Sequence, residues 1–502
     1  MYKQFIRRIK RGLGISRGAG RSYQDINPED IFIDSTNLPG FEENRFEGRI
    51  EKPMGQRTFL LVKIALVLII LALSSRLWIL SVSQGSTYAK ISEDNRLEQT
   101  LIFANRGIIY DRNMLELASN VIKGEGSDFA GRLYAPMEGL AHVVGYLKYP
   151  LSDRSGVYYE DRYRGRDGVE LAYNDRLSGE NGLKLREMDV FGEVISESVI
   201  EKPRDGDPLI LSIDAKVTEV LYKAMKSLVI ERKFVGGAAV IMDVRTGEVL
   251  ALSSYPEYDQ NMLTGGSSQA TFNLLLNNPA KLFLNRVIGG LYTPGSILKP
   301  VVAMAALNEG LISPSKQILS TGSITVPNPY DPTKPTIFKD WKAHGWTDMR
   351  GALAVSSDTY FYSIGGGFGD QKGLGIDLID KYFRAFGVTE KTGIELFGEV
   401  SGVIPTPEWK KEKFDGDIWR LGDTYITAIG QYGTQMTPLS AARLISAVAN
   451  GGKLLKPSLL LGGVSSPVER DIEMNADDWN VVREGMRESV TYGTSVGLNV
   501  PY

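Results

Sequence analysis

The stretch FLLVKIALVLIILALSSRLWIL, Phe59 to Leu80, is the first thing any fold of this chain must accommodate. Its centre, Ile64 to Leu73, holds no polar residue, and its length suits one bilayer crossing, which takes about 20 residues. Lys63 and Arg76 stand near the two ends, where long side chains reach the interface, and Trp78 fits an interfacial anchor. Arg45, Arg49, Lys52 and Arg57 cluster just before the span, whereas Lys90 and Arg96 follow it at greater distance. That bias predicts a single-pass protein with its N-terminus inside and the large remainder outside the cytoplasmic membrane. The segment is internal, long and without a small-residue cleavage site, which argues against a cleaved signal peptide. A buried soluble helix is the competing reading.

The span divides the chain. Residues 1–56 are expected to form a cytoplasmic, mostly disordered tail: Lys3, Arg7, Arg8, Lys10, Arg11, Arg17 and Arg21 precede the first acid, Asp25, and an acidic stretch with Pro and Gly follows. The tail is either simply solvated or touches anionic lipid with its basic start. Residues 57–83 form the anchor. Residues 84–235 read as an extended, mixed region of short strands. In it, Gly165–Gly179 runs from a turn into a helical pattern, and Leu209–Met225 reads as a strand followed by a helix capped near Asp214. Residues 236–502 read as an α/β domain. Gly237–Asp243 and Glu248–Ser254 are strand-like around the turn Val244–Gly247, Val301–Leu307 predicts a buried helix closed by Gly310, and Pro438 and Gly451 bracket a further helix.

Composition narrows the chemistry. The chain of 502 residues has no Cys and two His, His142 and His344. Thiol nucleophiles, disulfides and Cys- or His-rich metal sites are thereby excluded, and no metal or cofactor is implied. The formal net charge of -3 offers no reason to expect nucleic acid as a partner. An acyl-transfer enzyme built from this chain calls for Lys or a carboxylate as its base.

The segment TPGSILKP, Thr293–Pro300, meets that need. Ser296 and Lys299 are three apart and share one helix face. Ser296 would stand in the first turn, where free backbone N–H groups favour developing negative charge. The apolar helix that follows would desolvate Lys299, lower its pKa and let a neutral amine take the Ser proton. Ser-x-x-Lys also arises by chance, and a helix N-cap is the plain reading of Ser296. A second copy, Ser313 and Lys316 in SPSK, falls in a loop because of Pro314. About 60 residues beyond Ser296 come Ser356, Ser357 and Asp358 in AVSSDTYFY. Ser356 can relay a proton and Asp358 can hold Lys299, although the same residues also read as a helix cap before aromatic core residues.

Together these pieces resemble the penicillin-binding proteins, whose signature is S-x-x-K, then S-D-N or a relative, then K-T-G. The resemblance extends in order through NRLEQTLIFANRGIIYDRNMLELASN, AHVVGY, GRDGVELAYNDRLSG, GGAAVIMDVRTGEVLALSSYPEYDQN, TGIELFGE and TPLSAARLISAVANGG. It is similar to the monofunctional class B, and Asp358 followed by Thr-Tyr-Phe-Tyr points to the elongation type, the penicillin-binding protein 2 family. The resemblance implies an α/β transpeptidase domain of the penicillin-binding and serine β-lactamase-like fold at 236–502, behind a transmembrane helix and a β-rich pedestal, dimerisation-like domain at 84–235. It implies peptidoglycan D,D-transpeptidation of stem peptides through a Ser296 acyl-enzyme, with Lys299 as base, Ser356 as proton shuttle and Asp358 orienting Lys299 and substrate. It also implies β-lactams as covalent inhibitors and a membrane glycosyltransferase of the RodA type as partner.

Three departures from the family pattern stand out. The interval Asn120–Ala141 is short, Ala104-Asn105 replaces the usual Pro before Arg-Gly, and the third motif is missing. Lys391-Thr392-Gly393 spells that motif but precedes the TPLSAARL helix, whereas the family's triplet follows it. The substrate-binding strand is therefore expected beyond Tyr502, in a sequence that stops short of it; the alternative is a non-catalytic scaffold or activator of a glycan polymerase. A β-lactam-sensing receptor would need a signalling domain that residues 1–56 are too short and polar to supply. His344, shortly before Ser356, is either a turn residue or a group near the cleft mouth, and His142 is expected to be structural.

Overall fold

The computed structural model describes residues 56–124, 127–154, 156–189, 194–328, 331, 333–463 and 467–500. The expected tail at 1–56 lies outside them, Gln56 apart. The chain divides into two units, Met1–Ser92 and Glu93–Tyr502. The first holds helix α1 (Gln56–Trp78), a π-helical turn at Ile79–Ser83 and most of α2 (Gly85–Arg96). The run Phe59–Ser83 is, among the described residues, the one helix long and apolar enough to cross a membrane by length and composition. Its Leu, Ile and Val side chains are exposed all round apart from the partly covered Ile79 and Leu80, as a helix solvated by acyl chains requires.

The second unit begins with β1 (Leu97–Ile102), β2 (Ile109–Tyr110), β3 (Glu116–Val121) and β4 (Gly131–Tyr134), and continues to β5 (Gly182–Met188), β6 (Val194–Glu201) and β7 (Leu209–Ile210). Two sheets result. One has the order β1-β5-β6, antiparallel, with Leu97 opposite Glu187; the other has the order β7-β2-β3-β4, with β7 parallel to β2. The second sheet is pinned by a buried charge cluster. Arg106 Nε lies 2.5 Å from Glu170 Oε2 and Arg132 Nε lies 2.9 Å from Glu170 Oε1, with none of the three side chains exposed by more than 1%. Burial works to raise the Glu170 pKa, yet the two guanidinium groups hold it below the usual carboxylate range. Arg106 also donates to Ser178 and Asn174, so the triad ties the loop before β2 to the helical segment 168–178 that the sequence predicts.

The strand-turn-strand and helix signals appear where expected. Asp214 Oδ1 accepts from Val217 N at 3.0 Å and caps α3 (Ala215–Arg232). β8 (Gly237–Met242) pairs with β9 (Val249–Tyr255), Ala239 opposite Ser253, around a turn in which Asp243 accepts from Arg245 N and Gly247 takes φ +80°. α4 (Lys299–Asn308) is buried from Lys299 to Leu307. It ends as expected at Gly310, whose φ of +61° lets Leu311 N reach back to Ala306 O at 2.9 Å. Against α4 pack α5 (Met349–Ala354), α6 (Asp358–Gly366), the helix Gly375–Ala385 and α9 (Ala476–Thr491), and together with α7 (Leu421–Ala428) and α8 (Pro438–Asn450) they form an apolar core that includes Met304, Phe361, Phe383, Leu444 and Val482. A second core joins Ile109, Leu140 and Val169 to Leu252, Ile288, Ile394 and Leu459, so it runs across the sequence boundary at 235/236.

His142 is a packing residue. Its Nε2 lies 3.0 Å from the Leu282 carbonyl, its ring stands edge-on to Tyr258, and burial pushes the imidazole down to about 4. The structural consequence of the charge cluster is open to test. Glu170→Ala leaves two buried arginines without their shared counter-ion and is expected to cost roughly 3–5 kcal/mol. That loss would be read as a drop in the thermal unfolding midpoint of the detergent-solubilised protein, whereas Glu197→Ala, on an exposed strand, leaves the midpoint nearly unchanged.

Candidate active site

Ser296 lies in a 3₁₀ turn, Gly295–Leu298, and α4 starts at Lys299. The nucleophile candidate thus precedes the α-helix rather than sitting within its first turn, and its side chain is exposed while Lys299 is 2% exposed. The turn is held from the far side by backbone: Gly295 N donates to Gly430 O at 2.8 Å, and Tyr292 and Met436 exchange two bonds of 3.0 Å each. Gly430 has φ +72°, and a Cβ there would sit 2.1 Å from Gly295 O, so no other residue fits.

Lys299 Nζ meets three acceptors: Ser356 O at 2.8 Å, Ser356 Oγ at 3.1 Å and Asp358 Oδ1 at 2.6 Å. The Phe361 ring lies 5.4 Å from the same nitrogen. An ammonium has three N–H donors, so this set satisfies the charged form fully. Burial lowers the Lys299 pKa; the Asp358 carboxylate and, more weakly, Asp340 oppose that by favouring the ammonium. The balance suits a base that takes a proton and gives it back.

Ser356 closes α5 and Ser357 opens α6, and the junction between them aims the site. Ser356 has φ +54°, a left-handed conformation that turns both its carbonyl and its hydroxyl onto Lys299. Ser357 Oγ accepts from Tyr360 N as the α6 cap, which places Asp358 as the first helical residue. The plain reading of AVSSDTYFY as a helix cap holds, and the same segment also brings Ser356 and Asp358 onto Lys299. Ser296, Lys299 and Ser356 line one cavity of about 910 Å³. Its walls are the Gly236–Val240 edge of β8, Ala441, Ala442 and Ile445 of α8, and Met486 and Val490 of α9. β8 is hydrogen-bonded on one side only among the described residues, and its other edge faces this space.

The look-alike motifs stay outside the cavity. Thr392 is fully buried, with its N–H and hydroxyl both on Glu399 Oε1, at 2.7 and 2.6 Å, and Gly393 N on Glu399 Oε2. That triplet is a carboxylate-bound turn. In the second Ser-x-x-Lys copy, Lys316 Nζ donates to Gln371 Oε1 at 2.8 Å, in a loop. His344 packs edge-on to Trp341, with Nε2 3.5 Å from Asp340 Oδ1, behind the Ser356–Asp358 segment and not among the residues lining the cavity. Two contributors went unread in the sequence: Gly430, which backs the Ser296 turn, and Asp340, which accepts from Ser357 Oγ and Thr359 N. Nothing local separates Asp340 from an ordinary turn aspartate.

This arrangement can be set beside known proteins. The family model described as the penicillin binding protein transpeptidase domain matches residues 237–501, and the one described as the penicillin-binding protein dimerisation domain matches 128–211. The peptidoglycan D,D-transpeptidase MrdA of Acinetobacter baumannii is 32% identical over 386 residues, covering 74% of this chain and 55% of that protein. The Haemophilus influenzae protein of the same name is 32% identical over 386 residues, covering 73% of the chain and 56% of its own. The match thus spans little more than half the length of these relatives. Among solved structures, PBP2 of Pseudomonas aeruginosa, in complex with WCK 5153, superposes with a TM-score of 0.62 at 30% identity, covering 80% of this chain and 84% of that one. PBP2 of Helicobacter pylori, in a complex with MreC, gives 0.62 at 26% identity over 78% of this chain and 84% of its own. A chain from a peptidoglycan synthase complex of polymerisation and crosslinking gives 0.67 at 26% identity over 89% of this chain and 87% of its own. With over half its length matched by the transpeptidase model and a dimerisation domain ahead of it, the chain belongs to the penicillin-binding protein transpeptidase family.

Proposed function

We propose that this chain acts as a peptidoglycan D,D-transpeptidase of cell elongation, cross-linking stem peptides through an acyl-enzyme on Ser296. The carrying observation is the buried Lys299 amine, bonded to Ser356 and Asp358 in the cavity that also holds the exposed Ser296 hydroxyl. Ser296 Oγ attacks the carbonyl of the penultimate D-Ala, and its proton passes to the neutral Lys299 amine. The C–N bond to the terminal D-Ala breaks as the proton, relayed through Ser356, reaches the leaving nitrogen. An amine from a neighbouring stem then attacks the ester, its proton returns by the same route, and Ser296 is freed. Asp358 steadies the ammonium between the two steps. β-Lactams enter as substrate mimics and stop at the ester.

The span Phe59–Ser83 anchors the protein with the N-terminus inside and residues 84–502 outside the cytoplasmic membrane. Residues 84–235 form the non-catalytic pedestal and 236–502 the transpeptidase domain. The partner proposed is a RodA-type membrane glycosyltransferase, with contacts through the span and the pedestal. Support comes from the similar chain found in a peptidoglycan synthase complex.

Four results are expected. A fluorescent penicillin labels the full-length protein covalently, Ser296→Ala abolishes the label, and Lys299→Ala slows labelling by roughly 10²- to 10⁴-fold; a Ser296→Ala protein that still labels removes the assignment. The acylation rate rises with pH through the lowered Lys299 pKa, because only the neutral amine accepts the Ser296 proton. Asp358→Asn, which deletes a charge that favours the ammonium, moves that limb to lower pH; a move to higher pH contradicts the role given to Asp358. Gly430→Ala pushes a methyl group into the Gly295 carbonyl and slows acylation while leaving the secondary-structure content intact by circular dichroism.

A further inference from the structure

Asp340 follows strand Thr336–Lys339, and its carboxylate is fully buried. Its Oδ2 accepts from Ser357 Oγ at 2.8 Å, from Thr359 N at 2.9 Å and from Ser320 Oγ at 3.3 Å. Its Oδ1 accepts from Trp341 N at 2.8 Å. The next residue adds another tie, Trp341 Nε1 to Val355 O at 3.1 Å. Residues 355, 357 and 359 are gripped by Asp340 and Trp341, the backbone of 358 also turns to Asp340, and the Ser356 and Asp358 side chains, with the Ser356 carbonyl, hold Lys299. The strand pair behind this grip is itself fixed, since Asp340 N donates to Gly322 O and His344 N to Ser320 O.

A left-handed serine persists only where its surroundings over-determine it. Ser356 is such a residue, at φ +54°, and the bonds on either side of it end at Asp340 and Trp341. We propose that Asp340 is a positioning residue for the acyl transfer at Ser296: its buried carboxylate fixes the Ser356–Asp358 segment on Lys299 and acts as a second, more distant negative charge behind the Lys299 amine. This rests on the transpeptidase reading of the same site. Asp340 touches neither substrate nor Ser296; it acts through Ser357, Thr359 and the field at Lys299. The groups facing Lys299 are the Asp358 carboxylate and the Ser356 carbonyl and hydroxyl, with the Phe361 ring from α6 and the Asp340 charge behind them; Asp340 in turn is faced by the His344 ring, Nε2 at 3.5 Å from its Oδ1. Both carboxylates favour the ammonium, so removing either one eases proton loss from Lys299.

The experiment measures the fluorescent-penicillin acylation rate of the detergent-solubilised full-length protein as a function of pH. Asp340→Asn keeps the shape, deletes the charge, and turns an N–H toward the Trp341 amide. Two effects are expected: acylation at neutral pH slows by roughly 10- to 100-fold as the segment loosens, and the acid limb of the rate profile moves to lower pH. A role in folding alone would instead reduce the fraction of protein that labels, with the limb unmoved. Ser357→Ala serves where Asp340→Asn does not fold. It removes one grip and leaves the charge, so acylation slows with the limb in its original place, and Ser357→Thr restores the rate. Asp340→Asn with the rate and limb of the unmodified protein, a limb shifted to higher pH, or a Ser357→Ala protein at full rate overturns the proposal. Absence of any Ser296 label in the unmodified protein would instead remove the transpeptidase reading, and this inference with it.

Discussion

A single amine buried among apolar helices sets the terms for the rest of this site. An isolated charge in such a place would be strongly unfavourable, and proteins answer by neutralising it or by surrounding it with acceptors. Lys299 has both answers available. Ser356 and Asp358 complete its hydrogen-bonding capacity when it is charged, and the packed wall of α4 pushes toward the neutral form. The two tendencies oppose each other with burial the stronger, so the amine gives up its proton more readily than a solvated lysine, which suits a group that shuttles a proton. The α5–α6 junction, the hairpin loop behind it and the backbone contacts under Ser296 all read as parts that keep this balance in place.

Much of this was legible because it is local. The membrane span, the β8–β9 hairpin and the α4 helix with its Gly310 terminus depend on short-range patterns, and they appear with nearly the expected bounds. Ser296–Lys299 and Ser356–Asp358 were legible as motifs only in combination, since each alone is a common helix start. Pro314 and the position of Lys391 set apart the two look-alike segments, which do not line the cavity of Ser296. The helix start was read slightly early, because a 3₁₀ turn and an α-turn share the same three-residue spacing of Ser and Lys. Asp340 and Gly430 lay beyond reach for a different reason: their importance comes from partners 17 and 135 positions away in sequence, Ser357 and Gly295 respectively. A carboxylate that accepts from a hairpin and a helix cap at once carries no signature of its own.

The second apolar core bears on how the two regions of the second unit cooperate. Ile109, Leu140 and Val169 from the pedestal side pack into the same cluster as Leu252, Ile288, Ile394 and Leu459 from the transpeptidase side. The dimerisation-domain match and the transpeptidase match therefore meet across a hydrophobic seam rather than a bare linker. Strand β7 illustrates this, with Leu211 N on Tyr110 O and Leu461 N on Ile210 O. By contrast, the β1-β5-β6 sheet is built from partly or fully exposed residues, apart from the buried Gly182. Such a sheet draws its order from its own ladder more than from a core beneath it.

The left-handed backbone at Ser356 has a further consequence. Glycine would occupy that φ without steric cost, but it would bring no hydroxyl to Lys299. Under the role proposed for Ser356, Ser356→Gly would relax the backbone and remove the hydroxyl in the same step, so backbone ease and the proposed acyl transfer make opposite demands on this one position.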